Sequence, residues 1–205
     1  MRIDPKAQEI LDYWIGDADA SPEAAATQGA RWFSGGEEVD REITKRFGEI
    51  LKRAEVGELD SWGIDPRECM ALIILLDQFT RNIYRGQAQA FAMDDVALAL
   101  CLELQSRNEF SQLGPVSRVF ALMPMQHSED LDIQEASVAR FSELADQASA
   151  EWKENLSGNL EFAVLHRDIV KRFGRFPHRN RILGREATAE EADWLNDGAP
   201  TFGQG

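Results

Sequence analysis

Fifteen residues, Lys171 to Arg185 (KRFGRFPHRNRILGR), hold six cationic side chains, a histidine, two glycines and a proline. The chain around them is acidic, with a net charge of -14. Between Arg167 and Arg185 there are seven Lys/Arg against one Asp, and the rest of the chain carries 15 basic and 35 acidic residues. Arg175, Arg179, Arg181 and Arg185 present planar donor forks that match carboxylate or phosphate. Gly174 and Gly184 let the backbone approach a ligand closely. The chemistry this predicts is anion binding.

Two further polar islands could face this loop. In LLDQFTRNIYRGQAQAFAMD, Asp77, Arg81 and Arg85 fall at i, i+4 and i+8 and so share a helix face if the helix continues that far, with Gln78 and Asn82 on the adjacent strip. In MPMQHSEDLDIQE, Pro124 is expected to break the chain and Ser128 to act as an N-cap. Glu129 and Asp130 then occupy the first turn, favoured by the helix dipole, and Gln134 lies one turn on from Asp130. The three histidines of the chain, His127, His166 and His178, all fall in the islands. The expected binding set is therefore Asp77, Gln78, Arg81, Asn82, Arg85, His127, Glu129, Asp130, Gln134, His166, Arg175, His178, Arg179, Asn180 and Arg185. Arg175, Arg179 and Arg185 would hold a small anionic ligand, or the acidic or C-terminal group of a peptide. Arg81, Asn82 and Gln78 would orient it.

Two other readings use the same residues. The arginines could pair internally with Asp77, Glu129 and Asp130 and fasten three helices, which is weak evidence for stability because desolvation offsets the attraction. Alternatively the pocket could be enzymatic, hydrolytic or acid–base, with His127 or His178 carrying the proton and titrating near neutrality. No metal or other cofactor is expected. His127/Glu129 and His166/Asp168 are two residues apart, which in a helix turns the side chains to opposing sides, and no HxxxH or CxxC is present. His166, on an apolar stripe, reads as a hydrogen-bonded core histidine.

Charge and hydropathy exclude other classes. Outside the basic segment the balance is -20, which opposes approach to nucleic acid or an anionic membrane. The longest apolar run, MALIILL, ends at Asp77, far short of the ~20 residues a membrane span needs. Cys69 and Cys101 lie in apolar-periodic segments and read as buried thiols, and no apolar core of the signal-peptide kind follows the first residues. A cytoplasmic protein is the expectation.

The elements that must position these islands are helices. Asp4-Pro5, Ser21-Pro22 and Asp65-Pro66 place a capping oxygen before a proline at the first helical position, and TAEE from Thr188 reads as a capping box. Apolar stripes recur at helical spacing: Val39, Ile43, Phe47, Ile50, Leu51 and Ala54; Cys69, Leu72, Ile73, Leu76, Phe79 and Ile83; Phe91, Ala97, Leu98, Cys101 and Leu104; Ile133, Val138, Phe141, Leu144 and Ala145; Phe162, Leu165, Ile169, Val170 and Phe173. Strand signals are nearly absent. Trp14, Trp32, Phe33, Trp62, Trp152 and Trp194 read as packing residues. The result is an all-α domain over residues 1–196 with seven to nine helices, and a tail, 197–205, expected to be flexible.

The islands as they stand (LLDQFTRNIYRG, AFAMD, MPMQHSEDLDIQE, and His166 through RFGRFPHRNRILGR to Thr188 and its two glutamates) resemble the signature of the bacterial domain-of-unknown-function 924 family. The Trp32-Phe33 pair and Leu59 with Trp62 also fit. This resemblance spans most of the chain. It implies a tetratricopeptide-like, right-handed array of antiparallel helix pairs, and it implies no activity. One departure is Thr80, where the family usually has proline after Asp-Gln-Phe; a helix accommodates Thr more readily.

Overall fold

A computed structural model describes residues 3–33 and 36–203. Among them the chain forms nine helices and no strand. They are α1 (Pro5–Trp14), α2 (Pro22–Phe33), α3 (Gly36–Glu55), α4 (66–83), α5 (Asp94–Gln105), α6 (Pro115–His127), α7 (Leu131–Asp146), α8 (Lys153–Phe173) and α9 (Ala189–Asn196). Short 3₁₀ turns link several of them, among them Ala88–Phe91 and Pro177–Arg179. Sequential helices α5 to α8 pack on their neighbours, and α7 with α8 forms the most extensive pair.

The helix starts follow the sequence. Asp4 accepts from Lys6 N, Asp65 from Arg67 N and Glu68 N, and Ser21 Oγ from Ala24 N. Thr188 and Glu191 complete the expected capping box. Gly174 ends α8 in the left-handed conformation, at φ 69°, which a side chain would strain. One cap comes from far away in sequence: Asp19 Oδ1 accepts from Val116 N at 2.7 Å and Ser117 N at 3.0 Å, fixing the start of α6.

Helix α4 contains the feature that matters most for the site. Between the α-helical Pro66–Ile73 and Thr80–Ile83, residues Ile74–Phe79 are π-helical. The wider turn re-aims successive side chains, and such turns recur at functional positions. Phe79 packs into the core against Phe47, Trp14 and Tyr13, with ring centroids 4.8, 5.3 and 6.1 Å apart. Asp77, two residues earlier, is fully buried on the side facing α6. Buried Thr80 closes the turn, its hydroxyl donating to the Leu76 carbonyl at 2.7 Å.

Four expectations need correction. Pro124 does not break the chain: it lies inside α6, which runs on to His127. Burial of Val119, Phe120, Leu122 and Met125 holds the helix despite the lost hydrogen bond. Asp130, not Ser128, caps α7, accepting from Asp132 N and Ile133 N, so Glu129 stands before the helix rather than in its first turn. On α8, Phe162 and Leu165 are exposed, and the buried face is Leu156, Ala163, His166, Ile169 and Val170. Phe33 also points outward, at 72% exposure.

Candidate functional site

The three islands meet. Asp77 from α4, His127 from the end of α6, His166 from α8, and His178 and Arg179 from the Pro177–Arg179 turn form one buried cluster, joined by Arg81. At its centre His127 Nδ1 donates to Asp77 Oδ1 at 2.7 Å. That bond sets the His127 tautomer, leaving Nε2 as the basic nitrogen. Gln78 Nε2 donates to the other Asp77 oxygen at 2.6 Å, and Arg81 donates to the Asp77 carbonyl at 2.5 Å.

Asp94, at the start of α5, is the residue sequence reasoning missed. It pairs with Arg81, at 2.9 Å, and with Arg179, at 3.2 Å, so one carboxylate joins α4 to the basic loop. Its only signal was its place at the end of AFAMD. Arg179 is sandwiched between the rings of Phe91 and Phe176, its guanidinium carbon 4.5 and 4.6 Å from the two centroids. This is the geometry of a desolvated cation–π pair.

Beside this cluster lies a second network. Glu191 accepts two bonds from Arg175, at 2.7 and 2.8 Å, and one from Asn180 at 3.2 Å. Glu129 accepts from Arg185 at 2.6 and 3.0 Å and from Phe176 N at 2.7 Å. Arg185 Nε donates to Asn180 Oδ1 at 2.9 Å, so the loop is cross-braced internally.

The remaining expected residues go elsewhere. Asn82 and Arg85 turn to Asp40 of α3, at 2.8 and 2.6 Å, because α4 ends at Ile83 and Arg85 leaves the Asp77–Arg81 face. Buried Gln134 donates to the Gln126 and Ser128 carbonyls, both at 2.7 Å, and tidies the α6–α7 turn. Asp130 is exposed and caps. Arg181 is exposed.

Electrostatics follow from burial. Desolvation, aided by the nearby charges of Arg179 and Arg81, pushes His166 and His178 down to about 3. Burial also lowers His127, with the Arg81 charge adding to it. The expectation that a histidine here titrates near neutrality is therefore corrected: at pH 7 the rings are neutral. For Asp77 burial alone would raise the pKa, but His127 and Arg81 more than reverse this and keep it ionised. Burial, with repulsion from Arg81, brings Arg179 down to about 10, so it remains charged at neutral pH. Glu191 falls to about 2, chiefly through its bonds from Arg175.

Three buried polar atoms of the cluster lack a hydrogen-bond partner: Asp94 Oδ1, which is held by Arg81 only as an ion pair at 2.9 Å, and two nitrogens on consecutive residues, His178 Nδ1 and Arg179 Nε. Such groups are uncommon in folded proteins because each costs about 1–3 kcal/mol. His166 is not among them: its Nδ1 donates to the Phe162 carbonyl at 2.7 Å, as expected of a core histidine. The segment expected to be flexible, 197–205, is described as far as Gly203, and its Phe202 lies against the cluster. Phe202 stacks on His166, with centroids 4.1 Å apart. Among the described residues no group of three or more His, Cys, Asp or Glu is arranged to hold a metal ion, and no helix is long and apolar enough to cross a membrane.

The family model described as bacterial protein of unknown function (DUF924) matches residues 10–199. The chain belongs to this family. A solved structure of a protein of unknown function from Agrobacterium tumefaciens superposes with a TM-score of 0.78 at 35% identity, covering 94% of this chain and 97% of that one. No curated protein matches. The family match spans all three islands, so the residues that meet in the cluster all lie within the matched region.

Proposed function

We propose that this DUF924 member is a binding domain for a small anionic ligand, taken up at the His178–Arg179 corner of the buried cluster. The observation that carries the reading is the pair of adjacent buried nitrogens without partners, one of them on a guanidinium that is still charged. An anion accepting from Arg179 Nε and from a protonated Nδ1 of neutral His178 would satisfy both at once. Arg175, Arg185 and Arg85, first expected to bind the ligand, are engaged by Glu191, Glu129 and Asp40. They act instead as braces that hold the corner in place. The buried free cysteines fit a reducing, cytoplasmic setting.

The test is thermal stabilisation by inorganic phosphate, succinate and acetate. Wild type should gain at least about 2 °C, the shift expected for less than ~1 kcal/mol of binding at this size. Arg179→Lys, which keeps the charge but removes Nε, should lose the gain. If no anion stabilises the wild type, the reading fails.

A second reading rests on the Asp77–His127 bond, which orients an imidazole as the carboxylate of a catalytic triad does. It makes the same cluster an acid–base site. Among the described residues no hydroxyl or thiol hydrogen-bonds to His127, so the nucleophile would be water or part of the substrate. Generic phosphatase, esterase and peptidase substrates would probe it, and turnover unchanged in His127→Gln would reject it.

A further inference from the structure

Phe202 does not belong to the elements that build the site. It lies six residues beyond the end of α9, yet its ring stacks on His166 with planes 27° apart and meets the edge of His178 at 5.4 Å. Phe176 closes the same space, 5.7 Å from His166 and 5.6 Å from His178. His166, His178 and Phe176 thus line the slot that the Phe202 ring itself fills. Arg179, which carries one of the two partnerless nitrogens, rests on Phe176, and the other belongs to His178 itself. The next residue, Gly203, gives its carbonyl to Arg85 Nη1 at 2.6 Å.

The occupant sits under strain. Phe202 adopts φ 51°, the only positive φ at a non-glycine among the described residues. Left-handed backbone is uncommon for such a residue and, where it persists, is held by its surroundings. Here the ring stack and the Arg85 bond hold it.

We propose that the slot is a subsite for the ring of an aromatic anion, an aryl carboxylate or aryl phosphate, and that the segment 197–203 is its intramolecular stand-in, displaced when the ligand enters. The charge of the ligand rests on the anion reading above; the occupancy by the tail does not. A short tether gives the tail a millimolar effective concentration, so it lowers apparent affinity without abolishing binding.

The experiment uses the full chain as wild type, Phe202→Ala and Phe202→Trp. First, without ligand, acylation of His166 and His178 by diethyl pyrocarbonate is followed by peptide mass spectrometry. Phe202→Ala should react about tenfold faster at both rings, and Phe202→Trp should stay protected, as expected for loss of a tethered competitor. Second, phenyl phosphate and inorganic phosphate are titrated in thermal melts. Phenyl phosphate should half-saturate at about tenfold lower concentration in Phe202→Ala than in wild type, with inorganic phosphate little changed. Equal acylation in all three chains overturns the tail's role. Phenyl phosphate acting no better than inorganic phosphate overturns the ring subsite. Faster acylation with neither phosphate bound by any chain keeps the tail's occupancy but overturns the anion reading, and with it the ligand half of this proposal.

Discussion

The buried neutral histidines make a quantitative demand on stability between about pH 5 and 6.5. His166 and His178 stand at about 3 in the folded protein and return to the ordinary value of 6.5 on unfolding. The folded values are depressed, so the unfolded chain binds more protons below pH 6.5. Stability is full above 6.5 and falls as pH drops toward the folded values. Each ring contributes up to ~1.4 kcal/mol per pH unit, which is about 2 kcal/mol from pH 6.5 to 5 and about 4 kcal/mol for the pair. His127, also depressed, adds in the same direction. Carboxylates do not confuse this window. Asp77, Glu129 and Glu191 are all held below their ordinary values, and their stabilisation is lost only at more acidic pH. Urea unfolding followed by circular dichroism at several pH values from about 7.5 to 5 gives the slope. His166→Gln and His178→Gln should each remove about 2 kcal/mol of the wild-type loss. A wild-type stability that stays flat between pH 6.5 and 5, or a slope untouched by both substitutions, would refute the claim that these rings are buried neutral.

Asp77→Ala strips a fully buried carboxylate from His127, Gln78 and Arg81. Breaking a buried pair from one side costs about 3–5 kcal/mol, hence roughly 6–20 °C in Tm for a chain of this size; a change under ~1 kcal/mol in a urea melt would show that the cluster is not coupled. Gly174→Ala meets no atom within 4 Å, so its cost is purely the left-handed φ of 69°, about 1–2 kcal/mol by the same melt; an unchanged midpoint would mean that α8 can end another way.

The fold was readable because its signals are local. Asp4, Asp65 and Thr188 each cap the helix that follows them in sequence, and Gly174 stops α8 with its own backbone. The islands were readable as places, but not as pairings. The i+8 spacing puts Arg85 on the Asp77 face only if the helix continues, and the π turn and early end of α4 send it to Asp40 instead. Periodicity cannot register a π turn, because the apolar residues Leu76 and Phe79 remain buried across it. Pro124 misled for a related reason: a breaker's local cost of about 3 kcal/mol is outweighed by the buried side chains around it. Asp94 and Phe202 gave no charge or spacing signal. They become visible only when α5 and the tail are placed against the basic loop.

The concentration of arginine in an acidic chain then has a division of labour that charge alone could not reveal. Arg175 and Arg185 each face a carboxylate, Glu191 of α9 at 2.7 Å and Glu129 of the α6–α7 turn at 2.6 Å, and each leaves a side chain about a quarter exposed. A fork already filled by Glu191 or Glu129 has little left to offer an anion, and replacing those partners would expose two charges for the gain of one. Arg179 differs in every respect: it is buried, its carboxylate partner is shared with Arg81, its faces are covered by Phe91 and Phe176, and its Nε is unmatched. Burying a guanidinium with an unmatched donor is a cost that fastening alone does not explain, since hydrophobic residues of similar volume would brace the same helices as well or better. In the binding reading proposed above, the braces hold Arg179 and His178 in place. What Arg179 and His178 are held for is the question that the phosphate and phenyl phosphate titrations answer.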